Sequence, residues 1–333
     1  MITMRTAMTP VDSHGRKINY LRLSVTDRCN LRCTYCMPAG GVPKRSHGDI
    51  LRYEDLLRVS RAALSLGMEK IRVTGGEPLV RKGIVRFLEK LSGLSGLKRL
   101  VLTTNGVLLK EMAGELKDAG VESLNISLDS LRPNTYARIT RGGDLRRVLE
   151  GIEAVERAGF PYVKINVVVM RGVNEEEVAD FAALTIDRPY RVRFIEHMPT
   201  LPGDDRRILT VPGEELMRKL SERFRLQPVD KEVLTGPAAY WRIAGAIGMV
   251  GFITPVSCHF CGECNRIRVT STGMARSCLF SGGGVDLKPL LKGGDEAMLQ
   301  RALRGVIEAK PERHCFCGDP KLQAPLPMSQ VGG

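Results

Sequence analysis

Nine cysteines, unevenly placed, are the residues best suited to chemistry in this chain. Cys29, Cys33 and Cys36 sit close together; Cys258, Cys261, Cys264 and Cys278 form a second group, and Cys315 and Cys317 a third. An odd total at ligand spacing, behind an N-terminus without the apolar run of a signal peptide, argues for metal or cluster ligation over a disulfide framework. A reducing, cytoplasmic compartment is therefore expected. The first group, CNLRCTYC, offers three thiolates on a tight loop. Structural zinc takes four ligands, and no fourth Cys or His follows at the usual spacing; His47 is the nearest imidazole. Three thiolates instead suit three irons of a [4Fe–4S] cube, leaving the fourth iron open to a small molecule. The second group, on spacing alone, also fits a closed four-thiolate zinc site.

The elements that must position these groups follow one pattern over the first two hundred residues. Short apolar, β-branched runs at 20–25, 70–74, 99–103, 123–128, 163–169 and 192–195 alternate with helical-period stretches at 53–66, 84–91, 106–119, 145–158 and 175–184. Strands separated by helices pair in parallel through right-handed crossovers. Six strands are too few to close an eight-stranded barrel, so the expected class is α/β, an open, partial (β/α)6 barrel of the TIM type. Polar and Gly-rich segments (TDRCN, TGGEP, TTNG, SLDS, RGVN) follow the strands on one side, where such folds carry their sites. After Met198 the pattern changes to a helix near 213–224, short strands near 239–243, 247–253, 267–270 and 275–279, a helix at 295–308 and an irregular tail. The organisation read from this is a barrel at 12–200 and a smaller α+β cluster-binding region at 201–333.

The charge balance, 50 basic against 37 acidic side chains, gives +13. Such a balance suits nucleic acid or a small polyanion. With 9 Phe, 7 Tyr and 1 Trp and no basic arm, the nucleic-acid reading is the weaker one. The longest nearly uncharged apolar stretch, 245–253, is far short of the roughly 20 residues a membrane span needs, so no span is expected.

CxxxCxxC with an aromatic, Tyr35, before its last cysteine, followed after the second strand by Thr74-Gly75-Gly76-Glu77-Pro78, resembles the radical S-adenosylmethionine superfamily. The opening DSHGRKINYLRLSVTDRCNLRCTYCMP, the segment FCGECNRIRVTSTGMARSCLF, GPAAYW at 236–241 and Gly332-Gly333 resemble, in order, the GTP 3′,8-cyclase family, whose reaction is the first step of molybdenum cofactor biosynthesis. The resemblance implies a lyase with two [4Fe–4S] clusters and S-adenosylmethionine. Cys29, Cys33 and Cys36 would hold the cluster that cleaves the cofactor to methionine and a 5′-deoxyadenosyl radical. That radical takes hydrogen from C3′ of GTP, C3′ joins C8, and reduction with protonation gives (8S)-3′,8-cyclo-7,8-dihydroguanosine 5′-triphosphate. Cys261, Cys264 and Cys278 would hold a second cluster whose open iron faces guanine. Cys258 departs from the family pattern and is expected to lie idle or pack as a small apolar residue; Cys315 and Cys317 match no family role.

Carried over residue by residue, the cofactor contacts fall on Tyr35, Gly76, Ser127 and Met198, with the Glu77 carboxylate and nearby backbone receiving the methionine amino group. Asn105 and Asp129 end neighbouring strands as secondary candidates. GTP contacts fall on Arg22, Arg72, Thr103, Lys164, Arg193, Arg266 and Arg268, a set whose planar forks suit phosphate oxygens. Gly332 and Gly333 would enter the cavity and help set catalytic arginines such as Arg266. An external one-electron reductant, a homodimer, and transfer of the product to cyclic pyranopterin monophosphate synthase are further implications; membrane and nucleic-acid partners are not expected. Two rival readings stand beside this one. A peptide maturase with an auxiliary cluster would share the first motif but usually carries more C-terminal cysteines. A zinc-ribbon nucleic-acid binder would use the second group and the positive charge.

Overall fold

Alternation of side chains along the first strand sets out the logic of the whole sheet. In β1 (Tyr20–Ser24), buried along its length, Leu21 and Leu23 join the apolar core while Arg22 turns to the opposite face. The computed structural model describes residues 9–43, 45–198, 206–230, 236–281, 283–314 and 327–332. Five more strands follow in the barrel: β2 (Lys70–Thr74), β3 (Arg99–Thr104), β4 (Ser123–Ser127), β5 (Val163–Val169) and β6 (Tyr190–Glu196). The helices between and beside them are α1 (Tyr53–Ser65), α2 (Ile84–Ser92), α3 (Leu109–Asp118), α4 (Pro133–Thr140), α5 (Leu145–Arg157) and α6 (Val178–Ala183). Their apolar stripes cover the outer face. In α5, Asp144 caps the first turn by accepting from Arg146 N, and Leu145, Val148, Ile152 and Val155 supply the buried side. The helix α4, opened by a proline at its first position, has no counterpart in the expected elements.

The second half adds β7 (Leu226–Val229), β8 (Ala239–Ile243), β9 (Met249–Ile253), β10 (Arg266–Val269), β11 (Met274–Arg276) and β12 (Val285–Asp286). Its helices are α7 (Gly213–Ser221), α8 (Lys288–Gly293), α9 (Glu296–Glu308) and α10 (Met328–Val331). The tail is thus helical over its last described turn rather than irregular. These strands form no separate sheet. The order is β12-β11-β10-β1-β2-β3-β4-β5-β6-β9-β8-β7, with β10 parallel to β1 on one side and β9 parallel to β6 on the other. The fold is an open α/β barrel whose parallel core the later region extends at both ends; the described strands do not close. This pairing brings Arg268 level with Arg22, and Arg22 level with Arg72, on three adjacent strands. No described helix is long and apolar enough to cross a membrane.

Candidate active site

The loops after β1 and β2 are locked against each other by close backbone approach. Gly76 N donates to Thr26 O and Glu77 N to Arg28 O, both at 2.8 Å. A Cβ on Gly76 would lie 2.4 Å from Arg28 O, and one on Gly75 2.6 Å from Thr26 O. Glycine is required here because the chain leading to Cys29 passes so close. Glu77 differs from expectation: its carboxylate is buried away from the cavity wall and accepts from Leu79 N, Thr104 Oγ1 and Asn105 N at 3.0, 2.8 and 2.7 Å. Burial, only partly offset by these bonds, pushes it up to about 7. Its work is to hold the end of β3, from which Asn105 Nδ2 reaches Asn30 Oδ1 at 2.8 Å and Cys29 Sγ at 3.8 Å.

Cys29, Cys33 and Cys36 line one large cavity together with Tyr35, Gly76, Ser127 and Met198. The Tyr35 hydroxyl donates to Asp129 Oδ2 at 2.7 Å, and Val168 N fixes the other carboxylate oxygen at 2.8 Å. Burial drives the three thiols up, Cys29 to about 11 and Cys36 to about 12, with the charges of Glu77 and Asp129 adding to it. A donor is aimed at one of the sulfurs: Leu31 N lies 3.4 Å from Cys29 Sγ. Hydrogen bonds of this kind support thiolate ligands.

The opposite wall carries Cys261, Cys264 and Cys278, with Phe260 and Phe280 beside them. Here the electrostatics are reversed. Burial would raise Cys264, but the charges of Arg266 and Lys310 and their hydrogen bonds outweigh it and hold the thiol at about 7. All six cysteines are free of disulfides. No group of three His, Cys, Asp or Glu among the described residues closes around a single ion. A cube does not need such convergence, since each thiolate binds its own iron. Cys258 is exposed and off the cavity wall; Cys315 and Cys317 lie outside the described residues.

Between the two walls lie Arg22, Arg72, Arg193, Arg266 and Arg268. Four of these, excluding Arg266, are at most 8% exposed. Buried cations without acidic partners call for an anion. Among the described residues neither Arg72 nor Arg268 pairs with a carboxylate; burial and the neighbouring guanidiniums lower each to about 10. Arg193 Nη2 donates to Asn125 Oδ1 at 2.6 Å, and Asn125 Nδ2 reaches Thr103 Oγ1 at 3.4 Å. Asn125, fully buried, was not among the expected site residues, because an asparagine inside a strand gives no local signal. Lys164 is buried on β5, its Nζ 4.8 Å from the Tyr162 ring centroid, and does not reach the cavity wall. Burial and the charges of Arg193 and Arg72 bring it down to about 6.

The tail enters this arginine cluster. Gly332, at φ +75°, offers its carbonyl to Arg268 Nη1 at 2.9 Å and Arg22 Nη2 at 3.3 Å. Arg266, expected to be set by the tail, stacks over Phe260 with Cζ 5.1 Å from the ring centroid; Gly333 lies outside the described residues.

Residues 23–185 match the Radical SAM superfamily, and residues 190–316 match Molybdenum Cofactor Synthesis C. The chain is 60% identical over 326 residues to the GTP 3′,8-cyclase of Geobacter sulfurreducens, covering 98% of this chain and 100% of that protein. It is 48% identical to the GTP 3′,8-cyclase of Heliobacterium modesticaldum, covering 97% and 100%. Streptococcus suis SuiB, solved bound to S-adenosylmethionine, shares the fold: TM-score 0.60 at 16% identity, covering 91% of this chain and 77% of that one.

Proposed function

The chain belongs to the GTP 3′,8-cyclase family of the radical S-adenosylmethionine superfamily, and on that footing we propose that it converts GTP to (8S)-3′,8-cyclo-7,8-dihydroguanosine 5′-triphosphate, the opening reaction of molybdenum cofactor biosynthesis. The observation that carries this is that two cysteine triads far apart in sequence line one cavity, with buried arginines between them. The full-length match favours this reading over a peptide maturase or a zinc-ribbon binder.

The free, hydrogen-bonded thiols of both walls fit [4Fe–4S] clusters: Cys29, Cys33 and Cys36 would hold one, Cys261, Cys264 and Cys278 the other. When bound, the first cluster and S-adenosylmethionine supply the carbon radical that takes hydrogen from C3′ of GTP. Tyr35, Gly76, Ser127 and Met198 hold the cofactor against the first triad. Arg22, Arg72, Arg193, Arg266 and Arg268, with Thr103, take GTP, their guanidiniums neutralising the triphosphate. Lys164, behind the wall, gains its proton and its charge when the polyanion is bound. Gly332 closes the arginine end and helps exclude water, which protects carbon radicals from quenching.

The enzyme draws one electron at a time from an external reductant, works as a homodimer, and passes its product to cyclic pyranopterin monophosphate synthase. Anaerobic incubation of the reconstituted protein with GTP, S-adenosylmethionine and a reductant is expected to yield the cyclised triphosphate and 5′-deoxyadenosine. Cofactor cleavage without cyclised product, with both clusters loaded, would overturn the assignment.

A further inference from the structure

Lys310 follows α9 and is only 3% exposed, a depth at which lysine is rarely found without partners. Its ammonium donates to two backbone carbonyls, Arg266 O at 3.1 Å and Ser277 O at 2.7 Å. Arg266 lies two residues past Cys264, and Ser277 directly precedes Cys278. One side chain therefore ties together the two backbone segments that carry Cys264 and Cys278, and sets its charge beside them. No carboxylate among the described residues pairs with it.

The backbone around Lys310 is itself held. Arg16, fixed by Asp12 at 2.6 Å, donates to Pro311 O at 2.7 Å, Glu312 O at 3.0 Å and Cys261 O at 2.8 Å. The segment bearing Lys310 is thus pinned to the loop that carries the third cysteine of the set. Such a lysine is oriented by the fold before any ligand arrives.

We propose that Lys310 is a positioning residue that holds the two segments bearing Cys264 and Cys278 in place and, through its buried charge beside them, raises the reduction potential of the second cluster. The proposal rests on reading Cys261, Cys264 and Cys278 as cluster ligands. Reduction adds negative charge to the cluster, and a buried ammonium beside the ligand segments favours the more negative state. Low local dielectric strengthens the effect, because little water screens it.

The test is a redox titration of the anaerobically reconstituted full-length protein, followed by electron paramagnetic resonance, with iron counted per chain. The first cluster, identified by its response to added S-adenosylmethionine, is the internal reference. Lys310→Met and Lys310→Gln are expected to lower the reduced-to-oxidised ratio of the second cluster at a fixed potential about tenfold, ~59 mV for a one-electron couple. Lys310→Arg, which keeps the charge, is expected to stay near wild type. Lys310→Gln, whose amide still donates to carbonyls, gives the reading where the Met variant does not hold its cluster. An unchanged midpoint in the neutral variants, or an equal shift of both clusters, would overturn the proposal. A wild-type protein with no second cluster would instead remove the reading beneath it.

Discussion

Arg268 donates to the carbonyl of Gly332 at 2.9 Å, and Arg22, its registered neighbour on the next strand, joins the same oxygen at 3.3 Å. A backbone carbonyl from the tail thus occupies the meeting point of two buried guanidiniums. The arginines nearest the tail are oriented by it, and the tail is held by the arginines.

Gly332→Ala should break this relationship. The residue sits at φ +75°, and a Cβ would lie 2.8 Å from Thr74 Cγ2 and 3.2 Å from Ser24 Cβ. The left-handed conformation alone costs a side chain about 1–2 kcal/mol. Cyclisation is expected to fall at least tenfold while iron content and melting temperature change little and some 5′-deoxyadenosine is still formed. Undiminished turnover would make the carbonyl contact dispensable.

The two triads should separate by function. Ser at Cys29, Cys33 or Cys36 is expected to abolish 5′-deoxyadenosine formation. Ser at Cys261, Cys264 or Cys278 is expected to lose cyclised product while part of the cofactor cleavage survives. Equal loss of both activities from both sets, in folded protein, would argue against separate roles.

Cys258, exposed and off the cavity wall, is expected to contribute nothing to either cluster. Cys258→Ser should keep full iron and full activity. Iron lost from the second site alone would mean that four thiolates close it and that guanine has no open iron to meet.

Proton linkage follows from the buried lysines. Burial, with nearby cations, holds Lys164 at about 6 and Lys70 at about 8, against 10.5 for an ordinary lysine. Between those values the two lysines bind more protons in the unfolded chain than in the folded one, so their contribution to the stability of the nucleotide-free protein should grow as pH rises from about 6 towards 10. A bound polyanion raises both groups, so GTP binding near pH 8 should take up about one proton. Calorimetry in two buffers of different ionisation heat measures this; zero uptake at pH 8 would show that the lysines do not feel the nucleotide.

The barrel strands and the cysteine groups are legible in the sequence because short apolar, β-branched runs between helical-period stretches, and ligand spacing, are local patterns. What is not legible is long-range. Nothing near Arg268 announces that β10 pairs with β1, so the level placement of Arg22 and Arg268 appears only in the fold. Lys310 shows the same limit, since its partners beside Cys264 and Cys278 lie more than thirty residues away. Glu77 shows the converse: its motif is plain, yet that its carboxylate accepts from Thr104 and Asn105 appears only in the fold. The change of pattern near residue 200 does not separate two sheets: strands from both sides of it share one.

The most direct measurement uses GTP carrying deuterium at C3′. If one cavity presents the ribose to the radical formed at Cys29, Cys33 and Cys36, 5′-deoxyadenosine should carry a single deuterium, in a one-to-one amount with the cyclised triphosphate. Cyclised product accompanied by unlabelled 5′-deoxyadenosine would contradict hydrogen abstraction from C3′ in this cavity.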